Sequence, residues 1–179
     1  MNDYGRGNQR IFYLESQLME PNQAIENLIA DIQLCLDKSV MVRSEAFETE
    51  NSEPDEDEPP NSLQTERNYF SIDPPVYGLF NKVVKSFDAK KKLRSIELIS
   101  FSLDQSDLPS IEILANHLYE ILKNHTIGQG KFNPSDVMHF NEGVEWQGKL
   151  WTDYESGSII SLSMKSKIAN LIVIYYGGT

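Results

Sequence analysis

The sequence predicts an α+β fold: a mostly antiparallel sheet with a C-terminal three-stranded meander, and three main helices packed on it. Three observations lead there. Apolar residues recur at three- and four-residue steps in several stretches, the spacing of a helix with one buried face. The last forty residues switch to strand-like runs separated by short polar turns. At 179 residues and 40% hydrophobic, the chain can bury one core and is too short for two large ones. Residues 1–179 are therefore expected to form a single domain.

Taken in order, Ile11-Phe12-Tyr13-Leu14 fits a strand or, with Leu18, a first helical turn equally well. Pro21 suits the start of the next element. From Asn22 to Lys38, Ile25, Leu28, Ile29, Ile32 and Leu36 form one apolar stripe, with Cys35 beside it. Met41 to Phe47 reads as a short strand. Tyr69 to Ile72 reads as extended and stopped by Pro74-Pro75. Val76, Leu79, Phe80, Val83, Val84 and Phe87 predict a second helix from Pro75 to Lys90, closed by Lys90-Lys91-Lys92. Ile96, Leu98, Ile99, Phe101 and Leu103 are apolar on both strand faces and predict a central strand. A third helix begins near Pro109 with Ile111, Leu114, Ala115, Leu118, Ile121 and Leu122 inward. It ends near the glycines of 124–130, and Asn133-Pro134 opens a short fourth helix as cap and first residue. Trp146 to Tyr154, Ile159 to Met164 and Ile168 to Tyr176 are the strands of the meander.

Between β-strand candidates lies 48-ETENSEPDEDEPPNS-62, with seven acids, three prolines and no base. Its composition is that of a disordered insertion. With Glu45, this segment holds eight of the eleven net negative charges, so the rest of the chain is nearly neutral. The overall charge of −11 argues against nucleic acid and anionic membrane as partners and favours a basic protein. The polar start MNDYGRGNQR lacks the apolar core of a signal peptide, and no apolar run approaches the roughly 20 residues of a spanning helix. Cys35 is the lone cysteine, so the expected location is the cytoplasm.

Chemistry-bearing residues are sparse. His139, Glu142 and Glu145 combine imidazole and carboxylates and could hold zinc for a metal-dependent hydrolase, although Gly143 interrupts them. His117 and His125 read as a solvated residue and a helix C-terminal cation. Cys35 lies near a helix C-terminus, where the dipole opposes a thiolate. Gly128-Gln129-Gly130-Lys131 lacks the Walker spacing and hydroxyl. With no catalytic residue or cofactor expected, the better reading is a non-catalytic binder. The candidate contact residues are the acids Glu53, Asp55, Glu56, Asp57 and Glu58, and one hairpin arm bearing Glu145, Trp146, Asp153 and Tyr154. Strand parity places Trp146 and Tyr154 on one side and Trp151, read as core, on the other. A structural adaptor using its sheet edge is a further alternative.

The size, the α+β pattern, the polar N-terminus and the acids of Glu53 to Glu58 resemble the immunity proteins of bacterial polymorphic toxin systems, such as contact-dependent inhibition or effector–immunity pairs. The resemblance implies a 1:1 complex with a cognate toxin domain, often a basic nuclease. It implies that acids stand in for substrate phosphates, and that the toxin's active site is blocked without cofactor or turnover.

Overall fold

The computed structural model describes residues 23–45, 66–123, 127–128, 130–141, 146–153 and 156–175. Eight strands make one sheet: β1 (Val40–Ser44), β2 (Glu66–Val76), β3 (Phe80–Phe87), β4 (Leu93–Ser102), β5 (Ile127–Gly128), β6 (Trp146–Thr152), β7 (Ile159–Lys165) and β8 (Ile168–Ile174). Their order is β1-β2-β3-β4-β8-β7-β6-β5, antiparallel at every pairing. The meander is present as β6-β7-β8, and the central strand as β4 between β3 and β8. Three helices complete the α+β fold: α1 (Gln23–Asp37), α2 (Leu108–Leu122) and α3 (Pro134–Asn141). Among the described residues no helix is long and apolar enough to cross a membrane.

The helices share one side of the sheet because their apolar stripes do. Ile25, Leu28, Ile32 and Leu36 of α1, and Ile111, Leu114, Leu118 and Leu122 of α2, are buried in one cluster with Val83, Leu98, Leu171 and Leu162 of the strands. α3 is capped as its sequence predicts. Asn133 Oδ1 accepts from the N–H groups of Ser135 (2.9 Å) and Asp136 (3.2 Å), and Pro134 is the first helical residue. Asp136 then fixes α3 to β6: its carboxylate accepts from Trp146 Nε1 (3.0 Å) and pairs with Lys149 Nζ (2.7 Å). Lys149 is only 3% exposed, so the pair lies inside the protein.

Two sequence expectations are corrected. The helix expected over 75–90 is absent: Pro75 and Val76 end β2, residues 77–79 turn, and Phe80–Phe87 is β3. The apolar positions fit a helical stripe, yet Val83 and Val84 are adjacent β-branched residues buried on opposite faces of a strand paired on both edges. Tyr77 (φ 53°) and Gly78 (φ 69°) make the turn that brings it back along β2. Lys90-Lys91-Lys92 consequently form the β3–β4 turn instead of a helix end. Asp88 organises that turn by accepting from Lys90 N (2.8 Å), Lys92 N (2.9 Å) and Arg94 Nη2 (2.7 Å).

The second correction concerns the hairpin arm. Trp146 and Trp151 face the same side, both buried at 3% and 1%. The register shifts between Trp146 and Lys149, where Gly148 sits at φ 82°. One bulged residue reverses strand parity, so residues five apart come to share a face. Trp151 is core, as its sequence position suggests; Trp146 is core as well.

Candidate interaction surface

Strand alternation gives the sheet a second face, and none of the described helices lies on it. Residues directly opposite on neighbouring strands point to the same side. One row runs Ser44, Tyr69, Val84, Glu97, Ile172, Ser161, Leu150 across β1-β2-β3-β4-β8-β7-β6. Beside it run Val42, Ser71, Lys82, Ile99, Asn170, Ser163, and on the other side Arg67, Ser86, Ser95, Ile174, Ile159, Thr152. These rows are therefore isoleucine and valine interspersed with small hydroxyl residues; Val84, Ser86 and Ile99 are buried, the middle of the rows is otherwise half-buried, and Val42 and Leu150 toward the two margins are exposed. The only charges in these rows are Arg67, Lys82 and Glu97.

Glu97 is the chemically distinctive member. It lies mid-strand, with Val84 and Ile172 directly opposite it on the two neighbouring strands. Its side chain is 22% exposed, and Arg67 Nη2 approaches Oε2 to 3.7 Å. Burial pushes the carboxyl above its usual range, and the Arg67 charge offsets this only in part. The sequence holds a signal for it: one acid inside Ile96-Glu97-Leu98-Ile99, a run otherwise apolar on both faces. The expectations above passed over it.

Two of the expected contact residues fall elsewhere. Trp146 is in the core and hydrogen-bonded to Asp136, and Asp153 is 1% exposed. Neither offers a surface, which corrects the contact role expected of these two residues. The Asp153 carboxylate accepts from Ser156 Oγ (2.7 Å) and its N–H donates to Ser158 O (2.9 Å), both within the β6–β7 turn. Glu53, Asp55, Glu56, Asp57, Glu58, Glu145 and Tyr154 lie outside the described residues, as do Glu142 and His125. His139 is exposed, with Nδ1 2.7 Å from the Ser135 carbonyl of its own helix. No group of three metal-ligating side chains occurs among the described residues.

A titratable cluster not anticipated from sequence joins α1, α2 and the β2–β3 turn. Asp31 Oδ2 accepts from Tyr77 Oη (2.7 Å) and lies 3.6 Å from His117 Nε2, and the two rings meet edge-on at 6.3 Å. Burial first, then the Asp31 hydrogen bond, raises the Tyr77 phenol far above its ordinary range. Burial, followed by the Asp31 charge, also pushes the Cys35 thiol up, opposite to what a thiolate nucleophile needs. The cluster ties two helices to a turn and provides no activated nucleophile. A cleft of about 550 Å³ between α1 and the start of β4 is lined by Ile29, Leu93, Arg94 and Tyr175. Its polar groups face protein: Tyr175 Oη donates to Glu26 (3.2 Å) and Arg94 to Asp88.

Comparison with protein-family models, curated proteins and solved structures finds no match to this chain.

Proposed function

We propose that the chain is a non-catalytic binding protein of the immunity type, one that holds a basic toxin domain, a nuclease by resemblance, in a 1:1 complex and blocks its active site. The observation that supports this reading is the sheet face opposite the described helices: a largely apolar, part-buried field with Glu97, a carboxylate stripped of much of its water, near its centre. A partner lysine or arginine reaching Glu97 would restore the favourable interaction lost with that water, while apolar groups cover the half-buried Ile172 and the exposed Leu150. Such a charge pair, desolvated on docking, governs dissociation, whereas peripheral charge governs encounter. The acids Glu53, Asp55, Glu56, Asp57 and Glu58 fit the second role, drawing a cationic groove toward the protein.

Calorimetric titration against a basic nuclease toxin domain tests this. Glu97→Gln is expected to raise Kd by about tenfold to a hundredfold, mostly through faster dissociation. Added salt is expected to slow association of wild type. A nuclease that stays bound and inhibited with neither change would sink the electrostatic reading, and one that is never bound would sink the function.

A further inference from the structure

β1 is the outermost strand of the sheet. Its inner edge pairs with β2 without a register break, from Val40↔Asp73 to Ser44↔Tyr69. No described strand pairs with its outer edge. In an antiparallel ladder alternate residues turn their N–H and C=O outward, so this edge presents a row of backbone donors and acceptors. The sheet's opposite edge, β5, is two residues long and offers almost no ladder.

Natural edge strands are commonly guarded by lysine, proline, a bulge or a covering segment. β1 reads Val-Met-Val-Arg-Ser, with no lysine, proline or bulge. Instead Val40 and Val42 stand 69% and 60% exposed, side by side on the face opposite the described helices. On the other face Met41 packs toward the core and Arg43 is exposed, with one guanidinium nitrogen donating to Asn68 Oδ1 at 2.8 Å.

We propose that the outer edge of β1 is a strand-addition site, occupied by an extended segment of the protein partner. That segment carries apolar residues across from Val40 and Val42, and an acidic residue on the opposite face across from Arg43. The proposal rests on the binding reading above and names how the partner docks. Backbone geometry demands an extended strand, because only a strand can meet a row of outward groups at this spacing. Arg43 argues against a second copy of this chain. A two-fold that stacks Val42 on Val42 sets each Arg43 against Met41, where no carboxylate meets it, and one centred on Ser44 gives Arg43 a Glu45 but sets the apolar Val40 against the acid at position 48.

A blocked peptide, Thr-Glu-Val-Ile-Val-Thr, serves as probe, followed by amide NMR of the whole protein. The expected result is shifts and slowed hydrogen exchange confined to β1 and its β2 neighbours. A Lys-for-Glu peptide should bind about fivefold more weakly, the scale of one cross-strand charge pair. The Arg43→Glu variant should reverse that preference. An N-methylated peptide that cannot complete the ladder should lose binding. Shifts away from β1, a preference indifferent to residue 43, or no shift at millimolar peptide would each overturn the proposal. So would a dimer in light scattering that Val42→Lys converts to monomer, because a second copy would then hold the edge. A nuclease domain that binds while β1 amides stay unchanged ends strand addition alone; peptide bound at β1 with no nuclease binding ends the toxin reading alone.

Discussion

Gly148 shows how much one residue can determine. A Cβ there would lie 1.7 Å from the Leu162 carbonyl oxygen, and φ is 82°, a region side chains avoid. Gly148→Ala must therefore push β6 from β7 and lose the bulge that turns Trp146 inward. It should cost about 3 kcal/mol or more, read as a lower urea midpoint, and a near-native midpoint would refute that account. Asp136 is the second test. Burial disfavours its charge, but Lys149, Trp146 and the Asn133 N–H together hold the carboxyl below its usual range. That contribution is complete above the unfolded value of about 4 and disappears as pH falls through the lower folded value. Asp136→Asn leaves Lys149 buried without a counter-charge and should cost about 3–5 kcal/mol at neutral pH, with a flatter stability profile in acid. Glu97 has the opposite sign. Its raised folded value means the fold is penalised at neutral pH, and the penalty is absent below the ordinary carboxylate range. Glu97→Gln should raise the melting temperature by a few degrees at pH 7 and lose that advantage in acid. A variant that stabilises the free protein while weakening the complex would mark Glu97 as kept for binding.

Among elements, those with a one-sided apolar stripe were legible in the sequence. α1 and α2 were read within a residue or two, because both lie on a sheet and bury only that stripe. β4 and β8 were legible for the opposite reason: central strands are apolar on both faces. β3 was not, since Phe80, Val83, Val84 and Phe87 satisfy both periods, and only its pairing with β2 and β4 decides between them. The candidate surface was largely illegible. A row such as Val84, Glu97, Ile172 joins residues far apart in the chain, and a bulge at one glycine overturned the parity used for Trp146. Capping, by contrast, is local chemistry and was readable at Asn133-Pro134. Asn133→Ala should cost about 1 kcal/mol and raise hydrogen exchange in α3 before the rest of the sheet. Uniform exchange across the protein would show that α3 does not open separately.

At the scale of the whole molecule, charge and apolar residues occupy different stretches of the chain. The acids cluster in the chain between β1 and β2, while three rows of the face opposite the described helices carry two cations and one acid. Deleting residues 51–62 separates the two contributions. The deletion removes five acids and shortens the 21-residue connection between Ser44 and Glu66 to nine residues. Closing a loop less than half as long favours folding by about 0.7 kcal/mol, so the melting temperature should hold or rise slightly. β1 and β2 pair over five residues without help from the connection, which is why the register should survive. Association with a basic partner should slow by about tenfold at low salt and converge with wild type at high salt, with little change in dissociation. Stopped-flow mixing over a salt series reads both rates. If dissociation accelerates instead, the acids belong to the bound contact, and the division of labour between acidic segment and sheet face is wrong.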